Sequence, residues 1–126
     1  GCPILAECGG MMALSESLMT TDDETYDMAG ILPGTVEMCE RYQALGHVTL
    51  SADRRTVTTD RGGTLRGHEF HYSNAHLDRD ATLAFAVDGE GIADGRDGLL
   101  EYETLGTYAH VHAASGAFEI LLERSR

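Results

Sequence analysis

Pro3-Ile4-Leu5-Ala6-Glu7-Cys8-Gly9-Gly10-Met11-Met12-Ala13-Leu14 is the stretch on which the reading of this chain turns. Its apolar run stops at Glu7-Cys8, two glycines follow, and a helix-favouring segment continues to about Leu18, which predicts strand, sharp turn, helix. A nucleophile on such a turn sits at the strand's end in a strained conformation, tolerated only beside small neighbours; here these are Ala6, Gly9 and Gly10. A helix starting after Cys8 would aim its N-terminal amides at the sulfur and lower the thiol's pKa. Cys8 is therefore the first candidate for chemistry. A buried structural cysteine is the competing reading, because free cysteines are among the most buried residues.

With 126 residues the chain is one domain at most, with one core expected; 42% hydrophobic residues and 15 glycines fit a turn-rich globular protein. No stretch is long and apolar enough to span a bilayer and no basic-then-apolar leader stands at the start, so a soluble, cytoplasmic protein without membrane partners is expected. Cys2, Cys8 and Cys39 show no CxxC spacing, which argues against a disulfide framework or a zinc knuckle and fits a reducing compartment. The formal charge of −12 argues against nucleic acid as a partner, since phosphate binding needs clustered cations. All 9 basic residues are arginine. An acidic, lysine-free surface resembles proteins of halophilic organisms, where molar salt screens self-repulsion over a few ångströms; a merely acidic protein from a GC-rich genome is the alternative.

Only Gly1 and Cys2 precede the first strand, whereas a parallel strand usually draws neighbours from earlier βα units. The expectation is thus a fragment, or the C-terminal part, of a longer protein. Residues 20–27 are polar and acidic and read as a loop; 28–32 form an apolar run closed by Pro33-Gly34. Strands are expected at 35–41, 46–52, 82–87, 99–102 and 107–112, with 56–59 and 64–72 paired around 60–63. The glycine-rich 88–98 reads as a surface loop. A closing helix is expected over 115–126, with Ser115 as N-cap, Phe118, Leu121 and Leu122 on its apolar face, and Arg124 and Arg126 at its negative end.

The six histidines include two clusters, Gly67-His68-Glu69-Phe70-His71-Tyr72-Ser73 and Tyr108-Ala109-His110-Val111-His112. His68-Glu69-Phe70-His71 is one residue short of the helical HExxH spacing and lies in a strand-like context, so a metalloprotease helix is rejected. His110 and His112 would share one face of a strand and could chelate zinc, but a third ligand would have to come from far away; no metal is expected. A histidine that takes the thiol's proton is the other use for such a group, since a free thiol is only a few per cent ionised near neutral pH. Such a base needs an orienting third group.

Ala6-Glu7-Cys8-Gly9-Gly10-Met11-Met12 with Leu14, Ala44-Leu45-Gly46-His47, Leu65-Arg66-Gly67-His68-Glu69-Phe70-His71-Tyr72-Ser73 and Tyr108-Ala109-His110-Val111-His112, in that order, resemble the glutamine amidotransferase domain of the cobyrinic acid a,c-diamide synthase family. The resemblance covers essentially all of residues 1–126 and implies the C-terminal part of a flavodoxin-like, class I type α/β fold, a mixed sheet with helices on its faces. It implies that Cys8 attacks the side-chain amide of glutamine and releases ammonia, that His110 is general base and then acid, and that the Gly9 amide serves the oxyanion. Class I glutaminases usually carry H-x-E where this chain has His110-Val111-His112, so the carboxylate is missing there; His112 as a support and a bare dyad both remain open. The segment from His68 to Ser73 reads as a buried strand with locally satisfied polar groups, or, through Arg66, Glu69 and Tyr72, as a contact with a synthetase domain. For the full-length enzyme the family implies ATP and Mg, a corrinoid acid substrate and cobalamin biosynthesis; a homodimer is allowed. Upstream glutaminase strands, a second oxyanion donor and the ATP-binding domain are not in this sequence. An amidotransferase acting on nickel sirohydrochlorin or another tetrapyrrole, and a non-catalytic fragment or interaction module, are the alternatives.

Overall fold

The computed structural model describes residues 1–126. The chain runs β1 (Ile4–Glu7), α1 (Gly9–Leu14), β2 (Ser17–Met19), β3 (Thr25–Asp27), β4 (Gly34–Met38), β5 (Ala44–Ala52), β6 (Thr64–His71), β7 (Ser73–Leu77), β8 (Thr82–Val87), β9 (Arg96–Glu101), β10 (Thr104–Thr107), β11 (His110–Val111), a 3-10 turn at Ala113–Ser115, and α2 (Ala117–Arg124). Seven strands form one sheet in the order β1-β10-β9-β8-β5-β6-β11, and four form a second in the order β3-β2-β4-β7. Both sheets are mixed: β1 runs parallel to β10 and β2 parallel to β4, and every other ladder is antiparallel. The parallel neighbour of β1 thus comes from late in the chain, not from a preceding βα unit. No helix is long and apolar enough to cross a membrane.

The order conceals a closure. β10 is second in the larger sheet and β11 last, yet only Tyr108 and Ala109 separate them in sequence. Two residues span at most about 10 Å, so the edges carrying β1 and β11 must curl toward each other. They meet: the Val111 amide of β11 donates to the Glu7 carboxylate of β1 at 2.5 Å. Inside, Val48, Leu50, Leu65, Phe85, Leu105 and Ala109 form the main core cluster, with Ala117 and Leu121 of α2 packed on it. A second cluster joins Met11 of α1 to Leu32, Leu99 and Tyr108. α1 crosses close over β10 because residue 106 is glycine; a Cβ there would stand 2.8 Å from the Met11 Cγ.

Several sequence expectations need correction. α1 ends at Leu14, not near Leu18, because the Ser15 hydroxyl donates to the Met12 carbonyl at 2.6 Å and the backbone turns extended. Residues 25–27, read as loop, pair antiparallel with β2. Residues 56–59 form a threonine knot instead of a strand: the Thr56 hydroxyl accepts from the amides of Thr58 and Thr59 at 3.0 Å each. β6 accordingly pairs with β5, from Ala44↔His71 to Ser51↔Thr64. The expected 107–112 strand is broken at Tyr108 and Ala109, and β9 begins at Arg96 inside the expected loop. Gly116, not Ser115, precedes α2, with φ 93°.

Candidate functional site

Cys8 occupies the turn between β1 and α1 with φ 49° and ψ −107°, a conformation that L-residues avoid. Its amide donates to the Thr107 carbonyl at 2.7 Å, continuing the β1–β10 ladder, and its carbonyl accepts from Met12 at 3.0 Å. The turn is thus pinned on both sides while the half-buried sulfur projects toward β6, 4.0 Å from the Phe70 carbonyl. Gly9 leaves the space beside it open, with nothing within 4 Å of where its side chain would begin.

Burial pushes the Cys8 thiol up, and the charges of Asp97 and Glu7 add to this; only the Gly9 amide, hydrogen-bonded to the sulfur, pulls the other way. The expectation of a thiol made acidic by the helix start is therefore corrected: α1 has 6 residues, and desolvation outweighs its one amide. A thiol in this setting needs a base.

His110 opens β11 directly opposite His68 of β6, and the two imidazoles stack at 5.2 Å. With the Cys8 sulfur at the Phe70 carbonyl and His110 opposite His68, the two border the same three-residue stretch of β6. His47 of β5 completes the row, pairing with His68. His112 lies one step further along, its amide on the Arg66 carbonyl at 2.7 Å and its ring 5.9 Å from His68 and 6.0 Å from His47. With His47, Thr49, Arg66 and Asp88 it lines an open cleft of 330 Å³.

β6 alternates strictly, and this sorts the motif from His68 to Ser73. Arg66, His68 and Phe70 point outward. Inward, Glu69 accepts from the amides of Glu90 at 2.7 Å and Gly91 at 3.0 Å, so it holds a loop and is not a docking residue. His71 stacks on Tyr108 at 3.8 Å and donates from Nδ1 to the Ser73 carbonyl at 3.0 Å. The Ser73 and Tyr108 hydroxyls bond at 2.9 Å, and burial pushes the Tyr108 phenol up to about 12. The motif thus builds the floor beneath Tyr108, which carries the segment leading to His110.

Two carboxylates hold that segment, and neither was singled out for it in the sequence. Asp97, 1% exposed, accepts from the amides of Gly98 at 2.7 Å, Tyr108 at 3.1 Å and Ala109 at 3.0 Å. Glu7 takes the Val111 amide. Burial pushes the Asp97 carboxyl up to about 6, against the pull of its three amides and with the Glu69 charge adding to the rise. The folded chain therefore holds this proton more tightly than an unfolded chain, where 3.8 applies. Its contribution to stability is complete below pH 3.8 and is lost as pH rises through 6, about 3 kcal/mol in all. Urea melts of the parent and of Asp97→Asn, which lacks this titration, should show the difference in unfolding free energy falling by about 2 to 3 kcal/mol from pH 4 to pH 7; a constant difference would refute it.

A family model described as the CobB/CobQ-like glutamine amidotransferase domain matches residues 1–118. Cobyrinate a,c-diamide synthase of Halobacterium salinarum is 60% identical over 98% of this chain, and the protein of the same name from Haloarcula marismortui is 58% identical over 97%. The chain spans 28% of the length of each of these relatives. Both belong to halophiles, in keeping with the acidic, lysine-free composition. A solved glutamine amidotransferase from Thermotoga maritima shares the fold with a TM-score of 0.50 at 18% identity, covering 97% of this chain and 46% of that one.

Proposed function

This chain belongs to the CobB/CobQ-like glutamine amidotransferase domain family, and from that premise we propose that it hydrolyses glutamine to supply ammonia for amidation of the a and c side-chain carboxylates of cobyrinic acid in cobalamin biosynthesis. The single observation that carries the glutaminase step is the strained Cys8 turn lying against the stretch of β6 that His110 also borders. His110 takes the thiol proton as the sulfur attacks the amide carbon of glutamine. The Gly9 amide stabilises the resulting oxyanion. Collapse of the tetrahedral adduct breaks the C–N bond, His110 returns the proton to the leaving ammonia, and a γ-glutamyl thioester remains. Water, deprotonated by His110, then releases glutamate and restores the thiol.

The corrinoid substrate is inferred from the names of the two relatives, and a synthetase domain using ATP and Mg would activate its carboxylates in a cytoplasmic full-length enzyme. Supplied with glutamine, ATP, Mg and cobyrinic acid, that enzyme should yield the a,c-diamide, and nickel sirohydrochlorin should compete poorly. Preferential amidation of nickel sirohydrochlorin would reassign the substrate. Absence of glutamine hydrolysis by the complete protein would replace the enzyme with an interaction module.

A further inference from the structure

Two consecutive residues, Glu7 at the end of β1 and Cys8 in the turn after it, hold the segment that crosses from β10 to β11. The backbone amide of Cys8 holds the Thr107 carbonyl at 2.7 Å, and the side chain of Glu7 holds the Val111 amide at 2.5 Å. Between these two anchors lie only Tyr108, Ala109 and His110. Asp97 grips the first two of these by their amides, and His110 is held by its pairing with His68 of β6 on one side and by the anchor that follows it on the other. We propose that Glu7 is a positioning residue for the glutaminase reaction: its carboxylate, by accepting from Val111, fixes the base-bearing strand to the strand that ends in the nucleophile.

The chemistry explains why a long acceptor is needed there. Val111 faces Gly67 across the β6 ladder, but its amide points to Glu7, across the seam where the two sheet edges meet. No backbone ladder joins β1 to β11, which stand at opposite ends of the sheet order, and the bond that links them is made by a side chain. A side chain from residue 7 reaches over the gap, and it is the residue next to the sulfur. Any shift of β1 is thereby transmitted to both reacting groups together. The H-x-E carboxylate that the sequence lacks at position 112 would orient an imidazole directly; here Glu7 orients the main chain that carries it. The carboxylate also acts against the thiolate, since its charge helps raise the Cys8 thiol, so its presence is better accounted for by geometry than by activation of the sulfur.

The inference rests on the assignment of Cys8 and His110 as nucleophile and base, and two substitutions separate reach from charge. Glu7→Gln keeps the length and an acceptor oxygen but removes the charge; Glu7→Asp keeps the charge but falls short by one methylene. In the full-length protein carrying this domain, Glu7→Gln should retain glutamine-dependent kcat within about 3-fold, while Glu7→Asp should lose roughly 30-fold or more with an unchanged KM for glutamine, the signature of misplaced groups and not of lost binding. Amidation driven by added ammonium chloride should stay at the parent rate in both. The reverse order, or equal behaviour of the two variants, would overturn the positioning role. Undiminished glutamine-dependent turnover in Cys8→Ala would instead overturn the parent assignment, leaving the Glu7 measurements to be judged separately.

Discussion

Cys8→Ala should lower glutamine-dependent turnover at least about 1,000-fold in the full-length protein while leaving ammonia-dependent amidation intact, the size of loss typical when a covalent nucleophile is removed. The prediction follows from placement. Cys2 is exposed near the chain start, and Cys39 sits just past β4 with its sulfur 3.8 Å from the Glu37 carbonyl, so neither can substitute at the β1–α1 turn. Labelling with a glutamine-analogue electrophile should modify one cysteine, and tryptic mapping should find it at residue 8; labelling at 39 would count against the site. The backbone adds a second measurable consequence. Cys8 is held at φ 49°, where a side chain is strained by about 1 to 3 kcal/mol and glycine is not. Cys8→Gly should therefore be inactive yet melt no lower than the parent, because relief of strain offsets the loss of a half-buried side chain. A markedly lower melting temperature would mean that the cysteine stabilises the turn by packing and is not imposed on it for chemistry.

What could be read from the sequence and what could not divide along a physical line. The β1–turn–α1 unit is local: an apolar run, small residues and two glycines specify it within a dozen positions, and Cys8 emerges from it directly. The alternation in β6 is local too, and it separates His68 from Glu69 and His71 before any partner is known. The ends of elements were less legible, because side-chain bonds such as Ser15 to Met12 and the Thr56 knot compete with the pattern that propensity would continue. The seam was not legible at all. Glu7 and Val111 lie 104 positions apart, and nothing in either neighbourhood marks a carboxylate that will accept from a remote amide. Asp97 was hidden for a similar reason: in a glycine-rich, acidic stretch it reads as one more solvated charge, whereas folding buries it completely among three amides. The histidine row across β5, β6 and β11 likewise exists only once the register is set, since a slip of one residue would send His68 to the opposite face.

Register also determines the second large effect, at Gly67. This residue faces Val111 across the β6–β11 ladder, and a Cβ added there would overlap the carbonyl oxygen of His110, stand 3.0 Å from its carbon and 3.1 Å from the Val111 Cα. All of these are backbone atoms, so no flexible side-chain tip can yield and the strand itself must move. Gly67→Ala should therefore push β11 off β6, weaken the Glu7–Val111 fastening and displace His110. The expected cost is about 1 to 3 kcal/mol of stability from overpacking and roughly 100-fold or more in glutamine-dependent kcat from a shift of the order of 1 Å. Gly10→Ala is the matched comparison: its Cβ would meet the Ala6 side chain at an ordinary 3.6 Å, inside a helix where alanine is favoured over glycine by up to about 1 kcal/mol. Gly10→Ala should melt at or above the parent temperature, and Gly67→Ala well below it with impaired turnover. A Gly67→Ala protein with parental stability and glutaminase rate would show that β11 does not hold His110 at the site, and the seam would lose its part in the chemistry.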